Sequence, residues 1–283
     1  MGTDPGADPA ADLPELRRLR LRYPGTCLLC GRSLAQGAPA LYEQSTRTVR
    51  CVECPTGGSD VKLAPVDHGL AGASAGREYE RRKASREARV KDRFGDRLGR
   101  VILALSDEPQ STRAWAQGAR GEHELAEALA RVAEAQVLHD RRVPGTRGNI
   151  DHIVVAPAGV FIVDAKRYEG LIRVRNRGSF FKTDLRLYVG DRDCSGLAEN
   201  MSWQVGAVER ALRSAAVERM PPITPVLCFV RGEWPLLAPP DAYRGVRLEG
   251  TRSIAKLVTR ERVLDEAAIE HLIRILATAF PLK

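Results

Sequence analysis

The apolar positions change period several times along the chain, and each change predicts an element. "GARGEHELAEALARVAEA" (118–135) repeats its apolar residues at helical spacing. "VLHDRRVPG" reads as a strand running into a turn, and "GNIDHIVVAPAGVFIVDAKRYEG" (148–170) as two apolar strands around a Pro-Ala turn. "GLIRVRNRGSF" and "LRLYVG" add strand-like segments separated by Gly and Asn. "AENMSWQVGAVERALRSAAVE" (198–218) returns to helical spacing, and "ITPVLCFV" (223–230) is a β-branched run suited to a central strand. "SIAKLVTR" and "LDEAAIEHLIRILATAF" close the chain as helices. This order predicts an α/β fold with a mixed sheet, without internal repeats.

Upstream the pattern is different. Residues 1–20 read as a disordered, basic lead running into the arginine-rich "LRRLRLR" (16–22), and residues 21–58 hold a cysteine cluster. Residues 59–112 read as linker and charged helix, and 113–283 as the globular domain with a helical C-terminal extension. "GGSDVKLAPVDHGLAGASAG" (57–76) is small and polar, as linkers are. From Arg77 to Arg100 there are ten basic and five acidic residues, which predicts a solvated helix ending near Gly95 or Gly99. Its charge is either an exposed face or a phosphate-contacting surface.

Composition narrows the partners. With 283 residues, 43% hydrophobic and 28% charged, the chain can bury a substantial core. The longest apolar run, Ile153 to Val163, is too short to span a bilayer and is broken by Pro-Ala-Gly. The acidic, Pro/Ala-rich N-terminus lacks the basic-then-apolar order of a signal peptide. A cytoplasmic protein without a membrane partner is expected. A formal charge of +8 and a pI near 9.4 favour polyanions, nucleic acid first and acidic membrane surface second.

Four of the six cysteines form two C-x-x-C pairs, Cys27/Cys30 and Cys51/Cys54, twenty residues apart. Each pair can place two thiolates on one ion by wrapping a tight knuckle, and the segment between can return as a hairpin to complete a tetrahedron. Gly31 suits the open turn after the first pair. In a cytosolic chain this favours structural Zn²⁺ over disulfides. A redox or iron–sulfur site, or a ribbon without metal, is the alternative. Four cysteine ligands leave no vacant position, which argues against catalytic zinc.

Three charged residues interrupt the apolar hairpin: Asp151, Asp164 and Lys166. Ala156-Pro157-Ala158-Gly159 fits a type I turn. A symmetric turn would set Asp151 directly opposite Asp164, with Cβ atoms roughly 4.5–5.5 Å apart. Lys166, two residues on, shares that face. A three-residue loop with Gly159 left-handed would instead put Ala165 opposite Asp151. Facing carboxylates repel, and a divalent cation removes the penalty; hard oxygen donors suit Mg²⁺ or Mn²⁺. The competing reading is a salt-bridged triad on an exposed sheet face, against which both strands are apolar on either side of the charges. On a helical wheel Glu122 shares the stripe of Leu125, Leu129 and Val132, while Glu124, Glu127 and Arg131 lie opposite. The helix N-terminus is a competing explanation for an early glutamate. Gln204 borders the apolar face of Val205, Val208 and Leu212. Cys194, Cys228, His152 and Trp203 read as packing residues.

Over about residues 115–232 the sequence resembles the nuclease-related domain family (NERD), a branch of the PD-(D/E)xK nuclease superfamily. The resemblance rests on "GARGE" opening a helix, "GNIDHIVV", "GVFIVDAK", and "NMSWQ" opening a later helix. It implies a restriction-endonuclease-like mixed sheet flanked by helices, beside the small zinc-ribbon-like module. It also implies that Glu122 matches the first-helix glutamate, Asp151 the PD aspartate, Asp164 and Lys166 the acid-x-Lys motif, and Gln204 the helix glutamine. Ile150 replaces the proline of the superfamily name, and residue 164 is Asp rather than Glu. The implied activity is Mg²⁺-dependent phosphodiester hydrolysis, in DNA. Asp151 and Asp164 would hold the ion, with Glu122 reaching it through water, and Lys166 would act on the water or the transition state. The alternatives are a non-catalytic nucleic-acid-binding module and a protein-interaction module with a structural ribbon.

Overall fold

The computed structural model describes residues 16–27, 32–44, 48–53, 65–107, 109–179, 181–215, 217 and 219–283. The chain divides into two compact units, Met1–Pro65 with Arg213–Glu218, and Val66–Leu212 with Arg219–Lys283.

The first unit is a small β structure: β1 (Leu16–Arg20), β2 (Gly25–Thr26), β3 (Ser33–Leu34), β4 (Pro39–Glu43) and β5 (Thr48–Cys51). β4 lies between β1 and β5, both antiparallel to it, and β2 pairs with β3. Leu21, Cys27, Leu34, Ala40 and Cys51 form its core. Leu16–Arg20, expected within the lead, is thus an edge strand. An edge leaves a charged strand's side chains in water while its backbone is paired on one side. Residues 1–15, the rest of that lead, lie outside the described residues, as do Cys30, Gly31, Cys54 and residues 57–64 of the expected linker.

The second unit opens with α1 (Ala73–Leu105) and α2 (Gln110–Leu129). Three boundaries differ from expectation. α1 begins inside the predicted linker, because the Ala/Ser/Gly composition at 73–76 is compatible with a helix once its first turn is held by carboxylates described below. It breaks at Gly95, whose φ of 75° and ψ of 165° only glycine adopts without strain, and then resumes to Leu105. The two arms fold back: Arg86 Nη2 donates to Ser106 Oγ at 2.7 Å and to the Asp107 carbonyl at 2.9 Å. α2 starts at Gln110, behind Pro109, so "GARGE" continues a helix rather than opening one.

There follow β6 (Gln136–Arg142), β7 (Asn149–Ala156), β8 (Gly159–Lys166), β9 (Gly170–Asn176), β10 (Leu185–Val189), β11 (Arg192–Asp193) and α3 (Gly196–Ser214). The chain ends with β12 (Ile223–Phe229), β13 (Gly232–Glu233), β14 (Ala242–Tyr243), β15 (Val246–Glu249), α4 (Ser253–Thr259) and α5 (Glu266–Ala279). The main sheet runs β14-β15-β12-β8-β7-β6, and a second runs β11-β10-β9-β13. β12 is parallel to both β8 and β15, while β6, β7 and β8 form an antiparallel meander, so the sheet is mixed as expected.

Alternation fixes the faces. Val154 and Ala156 of β7, Phe161, Val163 and Ala165 of β8, and Val226 and Cys228 of β12 pack with Leu125 and Leu129 of α2 and Ile254 and Val258 of α4. The intervening residues, including Asp151, Asp164 and Lys166, face the other way. α5 starts where Asp265 accepts the Ala268 N–H at 2.8 Å. Its buried Ile269, Leu272, Ile273 and Leu276 complete the helical cover.

Candidate active site

The β7–β8 hairpin has the symmetric register. Ala156 pairs with Gly159, and the ladder runs through Ile153/Ile162 to His152/Val163. Asp151 and Asp164 occupy the next position. There the strands part: β8 continues on β12, with Leu227 opposite Asp164 and Phe229 opposite Lys166. β7 continues on β6, with Arg141 opposite Ile150 and Arg142 opposite Asn149.

The β6–β7 ladder is itself interrupted at this point. His139 pairs with His152 and Arg141 with Ile150, but Asp140 and Asp151 do not pair. Asp140 has φ of 49°, a left-handed conformation that aspartate tolerates better than most residues. Asp151 is therefore the one residue of β7 unpaired to both neighbours among the described residues. The backbone of this residue thus has no ladder partner on either side, although β6 pairs with β7 again at Ile150.

Lys166 Nζ donates to Asp164 Oδ1. Asp164 is buried and Asp151 and Lys166 are partly so. Burial pushes the Asp151 carboxyl well above the usual carboxylate range, and the charges of Asp164 and then Glu122 push it the same way. Burial works against the Lys166 ammonium, but Asp164 and Asp151 outweigh it and its pKa is raised. The ammonium thus stays charged. One ammonium against three carboxylates leaves a deficit of positive charge.

Glu122 is the outlying member. α2 covers the opposite face of the sheet, yet Glu122 is 7% exposed and its pKa rises to about 7, chiefly through burial, with Asp140 and Asp164 adding to it. Its Oε2 accepts the Gly72 N–H at 2.9 Å, at the start of α1. The Asp140 carboxylate accepts the Ser74 N–H at 2.7 Å and the Asn149 side-chain amide at 3.0 Å. Glu122 does serve a helix N-terminus, as the competing reading supposed, but that of α1 rather than its own. Among the described residues, no three Asp, Glu, His or Cys side chains stand close enough to enclose a metal ion by themselves.

Gln204 lies on the buried side of α3, and its Oε1 is buried without a hydrogen-bond partner among the described residues. The preceding residue, Trp203, covers Gly148 so closely that a Cβ there would lie 2.5 Å from the indole ring. This contact joins the "NMSWQ" and "GNID" segments and sets the head of α3 beside the start of β7. Sequence reasoning left Trp203 as packing, which it is, but its position is that of a spacer for the site. Asp140 it missed, since nothing local in "LHDRR" distinguishes a strand aspartate that breaks the ladder. His152 is buried, and its Nδ1 lies 2.8 Å from Nδ1 of His139.

A mixed sheet flanked by helices, with acids and a lysine gathered where a strand is unpaired, defines a nuclease-like α/β fold. Residues 117–230 match the model of the NERD family, the nuclease-related domain, a segment that includes Glu122, Asp151, Asp164, Lys166 and Gln204. The function of this part of the chain is accordingly nuclease-related. Neither a curated protein nor a solved structure matches the chain. Among the described residues no helix is long and apolar enough to cross a membrane.

Proposed function

We propose that the second unit is a metal-dependent nuclease hydrolysing phosphodiester bonds in DNA through Asp151, Asp164 and Lys166. One observation carries the reading: these groups meet on one face where Asp151 is unpaired to both neighbouring strands, with too little positive charge among them. A divalent cation would cancel the deficit. Mg²⁺ or Mn²⁺ fits the donor set, because such ions accept one or two carboxylates and fill their remaining positions with water and substrate phosphate. Asp151 and Asp164 would hold it, with Glu122 acting through water. Bound there, the ion would polarise a phosphoryl oxygen and acidify a water.

The chain's own groups do the rest. Lys166, pinned by Asp164, would present its ammonium to the charge that builds on phosphorus in the transition state. Asp164 keeps that ammonium oriented. Gln204 would use its unsatisfied Oε1 to accept a hydrogen bond from the attacking water and fix its approach. Glu122, already bonded to Gly72, would act mainly by raising the negative charge of the site.

The same proposal includes a structural Zn²⁺ on Cys27, Cys30, Cys51 and Cys54. Its support is the Cys51 N–H, which donates to the Cys27 sulfur at 3.2 Å in a buried setting and brings one cysteine of each pair together. Nucleic acid is the partner, and cytoplasm the expected compartment.

The test is incubation of plasmid and single-stranded DNA with Mg²⁺, Mn²⁺ or EDTA, beside Asp164→Ala. Cleavage should need the cation and vanish in the variant. Cleavage that survives either EDTA or the substitution would refute the assignment.

A further inference from the structure

The small N-terminal unit carries a feature the nuclease centre does not use. A groove of about 1150 Å³ runs along β1 and the turn after it. It is lined by Arg17, Arg18, Arg20, Arg22, Tyr23 and Tyr42, among others. The four arginines are exposed, and Tyr23 is 79% exposed.

Charge bookkeeping within the unit singles these arginines out. Residues 16–53 contain seven arginines, no lysine and two glutamates. Both glutamates are taken: Glu43 by Arg50 at 3.0 Å, and Glu53 by Arg32. Among the described residues none of the groove arginines pairs with a carboxylate; Arg20 Nη1 donates to the Gly37 carbonyl at 3.0 Å. Four guanidinium groups packed into six residues repel one another, a cost that no carboxylate among the described residues of the unit offsets. A strand edge needs only a charge or two to stay unpaired, and lysine commonly serves. Protection of the edge therefore does not account for four arginines and two tyrosines around one groove.

Guanidinium forks match phosphate oxygens bidentately, and the choice of arginine throughout favours that use over a diffuse positive field. An exposed tyrosine ring offers a stacking face for an unpaired base and little to a duplex. We infer that this groove binds single-stranded nucleic acid, with Arg17, Arg18, Arg20 and Arg22 on phosphates and Tyr23 and Tyr42 beneath bases. This site is independent of the nuclease proposal. A chain that binds here and cuts nothing would still bear it out.

The experiment measures fluorescence anisotropy of a labelled twenty-residue oligothymidine with the full chain, without added divalent cation, across a salt series. Arg17→Gln/Arg18→Gln/Arg22→Gln should weaken binding about tenfold or more and reduce the slope of log K against log salt by about 2, three contacts at ~0.7 each. Tyr23→Ala, at a side chain exposed enough to leave folding intact, should weaken the oligothymidine by about fivefold or more while sparing a duplex of equal length. Circular dichroism on both variants separates lost contacts from lost fold. Unchanged affinity and slope in a folded triple variant would overturn the inference. So would equal losses on duplex and single strand in Tyr23→Ala, or tighter binding to anionic phosphatidylserine vesicles than to the oligonucleotide.

Discussion

Asp151 and Asp164 stand one register step past His152 and Val163, the last paired residues of the β7–β8 ladder. Both strands continue, each along the neighbour it already has on its other side, β12 for β8 and β6 for β7. The acids therefore gain proximity from the hairpin without being closed in by it. One step earlier, alternation turns His152 and Val163 to the face that α2 covers, where both are fully buried and out of reach of a phosphate.

That placement makes the metal-free protein pH-sensitive. A carboxylate whose folded pKa lies above its unfolded value gives its full stabilisation below the unfolded value and loses it as pH rises through the folded one. Glu122 goes from 4.5 to about 7, so its share of stability should be lost between those limits. Glu122→Gln keeps an acceptor for the Gly72 N–H and should gain on the order of 1–3 kcal/mol at pH 8 relative to wild type. Urea unfolding at pH 5 and pH 8 checks this. Millimolar Mg²⁺ should raise the wild-type midpoint at pH 8, and Asp164→Asn should remove the rise. An unchanged midpoint would count against a cation at these acids.

Lys166 separates charge balance from chemistry. Lys166→Gln leaves the acids without their internal counter-charge, so Mg²⁺ should bind more tightly by calorimetry. Cleavage should nevertheless fall by about 10²- to 10³-fold, the range for losing one transition-state charge contact. A parallel loss of metal affinity and rate would make Lys166 a structural group only.

Gly148 and Trp203 test the positioning of α3. Gly148→Ala must displace the indole, at a cost of about 1–2 kcal/mol. Trp203→Leu in the same chain should recover part of it. Thermal unfolding of the three variants gives the coupling. If the two changes add independently, the contact does not set the spacing of the helix.

The buried pair His139–His152 carries the opposite pH sign. Burial first, and neighbouring positive charge second, lower His139 to about 4 and His152 to about 3. Neither ring should titrate above pH 5 by nuclear magnetic resonance. A histidine with a depressed folded pKa destabilises as pH falls from 6.5 toward that value, by on the order of 1–2 kcal/mol for His139 after allowing for its partial contact with water. Glu122 masks this fall in the wild type, so Glu122→Gln is the background in which it should be read.

The sequence alone determined the hairpin and the shared face of Asp164 and Lys166, but it left two registers open, and only the structure chose the symmetric one. A turn and a period-two alternation are local, and a few residues fix them. It also determined which helices bury which stripe. It did not determine that Asp151 is unpaired on both sides, which depends on where the β7–β8 ladder ends and on the backbone of Asp140. Nor could it show Glu122 bonded to Gly72, fifty residues away, or the arginine-rich lead folded as an edge strand against β4. Those facts come from contacts between segments far apart in the chain. No local pattern encodes where one ladder ends and its neighbour skips a pair, because that is set by how three strands lie against one another.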